Sequence, residues 1–275
     1  MKIYPKISSQ EYCDEMRKKI NDAEGIEIQF FDENGITSEF NFEDEVIKNK
    51  KLYPNIKEIT IHPPLNDYNI ELIFLKEEKM FKKQLKKLVK LSKKLNISLN
   101  MIYHTIIPAR QYVSTFLDRR IKKCLKIIEG TNVTILIENL FMMLEEKEEC
   151  SAIEICKKIN HPNLMACIDT THLHCKANIL KKDFYKMIEK ELNAEDCKKY
   201  VKQIHFASAL NNDGYIDKKT HGRKHTSYES ARAEYEWLVK YGMGNKNFIT
   251  EVSEEDYYSR KDQLEEIKML ENITK

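Results

Sequence analysis

At 275 residues, 41% of them hydrophobic, the chain is long enough to enclose a sizeable core. Its 46 Lys and Arg nearly cancel 44 Asp and Glu, for a formal net charge of +2, so overall charge makes no case for a nucleic-acid or anionic-membrane binder. Seven scattered cysteines with no Cys-x-x-Cys pair argue against a disulfide scaffold. With no apolar run near the ~20 residues of a membrane span, they predict a soluble cytoplasmic protein with reduced thiols that does not use membranes.

In chain order, residues 2–7 read as a first strand and 9–23 as a helix. The second strand, 25–31, alternates so that Glu27 and Gln29 share one face, where they either touch a substrate or are held by salt bridges and hydrogen bonds. The polar segment 32–51 is acidic at first, then basic, and should cover a barrel mouth before a short helix. A third strand ends at His62, and Pro63-Pro64 forces an extended exit. The Lys-rich stretch 77–95 carries Met80, Phe81, Leu85, Leu88, Val89 and Leu91 at helical spacing, which makes its lysines a solvated outer face. Then follow strand 98–103, helix 111–129, strand 133–138, helix 147–159, strand 164–168, helix 178–199 with a break near Asn193, and strand 201–206. Loop 207–226, helix 227–241, strand 246–251 and helix 254–271 complete the chain. Trp237 and the Tyr-rich helices read as packing between helices and barrel, His161 as a turn residue and His174 as facing away from any site.

Continuous β-then-α alternation without a linker predicts one domain over 1–275, an α/β (β/α)8 TIM barrel. Six of its eight apolar runs end in a His, Asp or Glu: His62, His104, Glu138, Asp169, His205 and Glu251. In this fold the C-terminal strand ends form the active face. Glu138, Asp169, His205 and Glu251 close four consecutive strands, and three carboxylates with one imidazole suit a divalent ion such as Zn, Mn, Mg or Co. Without a cation, three converging carboxylates would raise one another's pKa. Singly, each has a plainer reading: Asp169 before Thr170-Thr171 suits a helix N-cap, and Glu254 a capping box opened by Ser253.

Cys167-Ile168-Asp169-Thr170-Thr171-His172 resembles the "IDT-x-H" motif of the xylose isomerase-like barrels, a superfamily of sugar isomerases, sugar epimerases and endonuclease IV. The likeness extends to Ile135-Leu136-Ile137-Glu138-Asn139, Gln203-Ile204-His205 and Ile249-Thr250-Glu251. It implies Glu138, Asp169, His205 and Glu251 as metal ligands, with His172 as a substrate contact or additional ligand.

Two branches make different demands. The isomerases and epimerases need one ion, and the resemblance implies that Glu138 and Glu251 exchange a proton beside a sugar carbonyl. His221, Arg223 and Lys224 would then offer donors to the hydroxyls of a sugar or sugar phosphate, or form an exposed polar loop. His62 and His104 would touch substrate, or be core histidines. Endonuclease IV carries three zinc ions and cleaves abasic DNA; here Ile61-His62-Pro63-Pro64, His104, His172 and His225 resemble its further ligands. The chain departs from that family at Arg223, where an Asp is expected, and at Leu140-Phe141-Met142-Met143, where glycines are. It departs again in the acidic stretch with Glu39, Glu43, Asp44 and Glu45, which would repel a phosphate backbone. The leading expectation is a one-ion sugar isomerase or epimerase. The alternatives are a zinc phosphodiesterase with two or three ions, and a non-catalytic sugar- or metal-binding barrel. A homo-oligomer is compatible with each.

Overall fold

Parallel strands alternate with helices and hydrogen-bond in sequence order until the eighth returns to the first, closing a barrel. The computed structural model describes residues 1–8, 11–30, 40–64, 78–104, 115–139, 152–179, 181–209, 222–254 and 256–275. The strands are β1 (Lys2–Ile7), β2 (Gly25–Gln29), β3 (Glu58–His62), β4 (Ser98–His104), β5 (Val133–Glu138), β6 (Leu164–Asp169), β7 (Val201–Phe206) and β8 (Asn247–Thr250). Closure pairs Lys2 with Asn247 and Tyr4 with Ile249. Among the described residues the helices are α1 (Asp14–Asp22), α2 (Phe42–Leu52), α3 (Glu78–Leu95), α4 (Thr115–Leu125), α5 (Ala152–Ile159), α6 (Thr170–Ile179), α7 (Phe184–Glu191), α8 (Ala194–Tyr200), α9 (Tyr228–Lys240) and α10 (Lys261–Ile273). None is long and apolar enough to cross a membrane.

Several helix boundaries differ from the sequence expectation, among them the end of the helix expected over 111–129, which is at Leu125. The helix expected over 178–199 does break near Asn193, which caps α8 by accepting Glu195 and Asp196 N–H, and α7 starts only at Phe184, where Asp183 caps it by accepting Lys186 N–H; a further helix, α6, starts directly after β6. The last helix starts at Lys261, not 254, because Arg260 sits in the left-handed region at φ 49°. Glu254 therefore opens no capping box with Ser253; it reaches forward, and its carboxylate accepts Asp262 and Gln263 N–H at the start of α10. The first helix begins at Asp14 rather than residue 9.

The main apolar core lies between barrel and helices, where Ile28, Ile61, Leu88, Leu99, Ile137 and Phe248 are buried. Barrel interiors usually hold layers of branched apolar side chains. A second, small apolar cluster consists of Ile102, Leu136 and Cys167 with Met165 packed on it. Much of the cross-barrel contact is polar. Thr60 on β3 donates to Gln203 Oε1 on β7 (2.8 Å), and Asn247 on β8 donates to Glu58 on β3 (3.1 Å). A register shift between β6 and β7 pairs Ala166 with Val201 but Cys167 with Gln203, so Lys202 is the extra residue. Its ammonium reaches Glu58 (2.9 Å) and Asn100 Oδ1 (2.8 Å).

Tyr4 donates to Glu58 at 3.2 Å, and its ring lies against Gly25 so closely that a Cβ there would sit 2.4 Å from the ring. Gly25→Ala should therefore displace Tyr4 and destabilise the fold by about 1–3 kcal/mol, the usual cost of overpacking. Chemical denaturation would show this as a lowered midpoint with little change in slope; an unchanged midpoint would mean that Tyr4 moves freely.

Candidate metal centre

Alternation along each strand delivers the last inward residue of β3 to β7 to one end of the barrel: His62, His104, Glu138, Asp169 and His205. Glu251 follows β8 directly, and all six are buried or nearly so. Ligand atoms of Glu138, Asp169, His205 and Glu251 lie within 4.8 Å of one another, as do those of His62, Glu138 and His205. Three carboxylates and three imidazoles from the strand ends thus share one buried region.

Glu138 is the hub. Its Oε1 lies 3.2 Å from His205 Nδ1 and 3.7 Å from His172 Nδ1, while its Oε2 lies 3.2 Å from His62 Nε2 and 3.4 Å from His104 Nε2. Burial works against its charge, but His205, His104 and His62 hold its pKa well below the ordinary carboxylate value. Glu251 is likewise held low, against burial, by His205 and Lys6. Burial also opposes a charge on His205, and the surrounding carboxylates override it, holding its pKa well above the usual imidazole value. Burial and Lys6 push His62 the other way, towards the neutral form that ligates metals.

Asp169 has two roles. Its Oδ1 accepts His172 N–H (2.8 Å), which is the capping role for α6, and its backbone is clasped by Asn139, whose Oδ1 accepts Asp169 N–H (2.8 Å) and whose Nδ2 donates to Asp169 O (3.1 Å). His172 Nδ1 donates to the Asn139 carbonyl (2.6 Å), which leaves the ring lone pair on Nε2.

The residues expected from the loop after β7 are placed elsewhere. His225 is buried outside the barrel, with Nδ1 on Glu266 (2.5 Å), Nε2 near Glu234 (3.3 Å) and its ring stacked on Phe206. Both ring nitrogens are engaged away from the cluster, so this geometry gives no support to His225 as a third-ion ligand. Lys224 pairs with Asp262 and Glu265 on α10, and Arg223 is exposed, its backbone bridged to Ser208. Lys224 is thus held by α10, and His221 falls outside the described residues. Of the acidic residues expected at the mouth, Glu43 pairs with Lys87 and Glu45 with Lys48, so part of that charge is compensated.

Two residues carry more than their sequence signal suggested. Lys6, the buried one of the two lysines in the first strand, pairs with both Glu251 and Glu27. Glu27 accepts from His205 Nε2 (2.9 Å) and Gln203 Nε2 (2.8 Å). Asn139, read only as part of a motif, sets the Asp169 backbone.

A family model described as xylose isomerase-like TIM barrel matches residues 18–258. The chain belongs to that family. The sequence matches no curated protein. Solved structures of the same fold include a D-tagatose 3-epimerase-like protein, 18% identical, covering 100% of this chain and 97% of the other with a TM-score of 0.59. A 3-keto-D-glucoside 4-epimerase from E. coli is 12% identical, covering 99% of each chain with a TM-score of 0.57. An IolI protein described with a binding zinc atom is 16% identical, covering 100% of this chain and 96% of the other at 0.54. At these identities the likeness is one of fold. Within the family frame, the donor set of Glu138, Asp169, His205 and Glu251 fits a divalent cation: it is buried, oxygen-rich and anionic.

Proposed function

We propose that this chain is a divalent-metal-dependent isomerase or epimerase acting on a sugar or sugar phosphate. The observation that carries the reading is the placement of two glutamates from different strands, Glu138 of β5 and Glu251 after β8, both against Nδ1 of His205. Proton exchange beside a carbonyl needs one group to remove the proton and another to return it, and two carboxylates at one centre meet that need. Glu138, Asp169, His205 and Glu251 would hold the cation, which supplies polarisation of the substrate carbonyl and offsets the repulsion of the carboxylates. Glu251 and Glu138 accept and return the proton on their carboxylate oxygens. Asp169, clasped by Asn139, and His172 line the same side and orient the substrate hydroxyls.

The test is incubation of zinc-, manganese- or cobalt-loaded protein with a panel of ketoses, aldoses and their phosphates in deuterated water. The expected result is one ion per chain and deuterium at the carbon beside the carbonyl of at least one sugar; no exchange with any of them would defeat the reading.

One observation favours a second reading. The outer oxygen of Glu138 faces His62 and His104 while the inner one faces His205 and His172, and a carboxylate with separately partnered oxygens suits a bridge between two cations. A zinc phosphodiesterase would use that arrangement. Elemental analysis finding two zinc ions per chain, with cleavage of an abasic duplex that His104→Ala abolishes, would replace the first reading with this one.

A further inference from the structure

Beneath the centre, four side chains close a ring in which Glu251, His205 and Glu27 each use two different atoms and Lys6 uses its one ammonium for both contacts. Lys6 Nζ contacts Oε1 of Glu251; Oε2 of Glu251 contacts Nδ1 of His205; Nε2 of His205 lies 2.9 Å from Oε2 of Glu27; and Oε1 of Glu27 returns to Lys6 Nζ at 3.2 Å. Lys6, Glu27 and His205 are buried, and Glu251 nearly so. A carboxylate only accepts, so the approach of His205 Nε2 to Glu27 requires the hydrogen to be on Nε2. Nδ1 faces Glu138 and Glu251, and its hydrogen is the one that a cation held by those carboxylates would displace.

Glu27 is itself oriented from the far end of the barrel. The ammonium of Lys202 can only donate, so Asn100 must present Oδ1 to it (2.8 Å) and donate through Nδ2 to Glu58 (2.8 Å) and Thr60 Oγ1 (3.0 Å). The Thr60 hydroxyl then gives its proton to Gln203 Oε1 (2.8 Å), which turns Gln203 Nε2 towards Glu27 Oε2 (2.8 Å). Oε2 of Glu27 thus takes two hydrogen bonds, while Oε1 makes an ion pair with Lys6.

We propose that Glu27 and Lys6 are positioning residues for the metal centre: Glu27 selects Nδ1 of His205 as the ligand atom, and Lys6 occupies one oxygen of Glu251 so that the other faces the ion. The inference rests on the metal reading above and deepens it. Partners behind a ligating histidine typically change metal affinity about 10–100-fold when removed. The purpose of the buried ammonium is geometric here, because it ties Glu251 and Glu27 into one rigid unit.

Charge and geometry can be separated with Zn(II) and Mn(II) affinities of the full chain, measured by chelator competition. Glu27→Gln removes a negative charge as well as the hinge of the ring, so it weakens binding under either account. The pair Lys6→Met with Glu27→Gln restores the net charge, and exchange of a buried ion pair for neutral groups is commonly tolerated by a fold. The expected result is that the pair, like Glu27→Gln, binds at least about 10-fold more weakly than the parent. Affinity restored in the pair would mean that the ring acts through charge alone and would overturn the proposal. Circular dichroism and thermal unfolding of the metal-free proteins show which variants are folded, and the pair decides the matter if Glu27→Gln does not fold. Histidine 15N–1H correlation of the zinc-loaded parent should show one ring coordinated through Nδ1 with Nε2 protonated; its loss on His205→Gln assigns the ring, and coordination of that ring through Nε2 would also overturn the proposal. A parent that binds neither ion brings down the metal reading itself, whereas a parent that binds and a pair that matches it brings down only the positioning role.

Discussion

Glu138→Gln should abolish turnover and strip the centre of its cation. Among the described residues Glu138 and His205 are the side chains shared by both ligand groups, and Glu138 faces four imidazoles. An amide keeps the shape but offers one acceptor oxygen in place of two, and its NH2 would point at a ring nitrogen. The loss of proton transfer alone is expected to cost about 10²–10⁴-fold in rate, and the loss of metal binding adds to it. Glu251→Gln is the informative comparison. Lys6 and His205 would still flank the amide, so metal should bind more weakly yet measurably, while solvent exchange into substrate falls within the same range of about 10²–10⁴-fold. Metal content by elemental analysis and deuterium incorporation read the two effects separately. Full metal content with full turnover in Glu138→Gln would remove this residue from the centre and with it the proposed chemistry.

The barrel was legible because strand and helix periods alternate without interruption, and because apolar runs ending in His, Asp or Glu are rare unless strand ends face a common site. The positions of Glu138, Asp169, His205 and Glu251 followed from that register, since parallel strands in a closed barrel bring equivalent ends together. What lay below the ends was hidden. Lys6 is one of two lysines in its strand, and its partners Glu27 and Glu251 are 21 and 245 residues away, a distance no local pattern encodes. Glu27 stood out as an acid on an apolar strand, but alternation gives only its face, not its partner. For the loop residues the structure supplies partners that the sequence pattern does not show. A cluster such as Arg223-Lys224-His225 is rich in donors, yet a flanking α10 carrying Asp262, Glu265 and Glu266 captures two of the three. Composition reveals which chemistry a loop can offer and leaves open which neighbour takes it.

The fate of His225 leads to the second large effect. It lies just before α9 and faces Glu234 of that helix and Glu266 of α10, with Phe206 of β7 stacked on its ring and His174 of α6 sharing Glu234 at 3.1 Å. Burial opposes its charge, but Glu234 and Glu266 raise its pKa from 6.5 to about 10. Glu234 moves the opposite way: against burial, His174 and His225 hold it below its ordinary value of 4.5. A group whose folded pKa is raised contributes stability that is complete below its unfolded value and fades as pH rises through the folded one. The His225 contribution is therefore full below about pH 6.5 and is lost towards pH 10. Glu234 contributes above about pH 4.5 and loses its contribution on acidification. Thermal unfolding across pH should accordingly peak between these limits as far as this cluster is concerned. His225→Ala, which leaves buried Glu266 without its imidazole and Glu234 with His174 alone, should cost about 3–5 kcal/mol and lower the midpoint by roughly 10 °C for a domain of this size. It should also flatten the alkaline limb of the profile, which a loss of packing alone would leave in place. Because His225 faces away from the strand ends, zinc stoichiometry should not change; a loss of one ion per chain in that variant would return it to the metal centre and favour the phosphodiesterase.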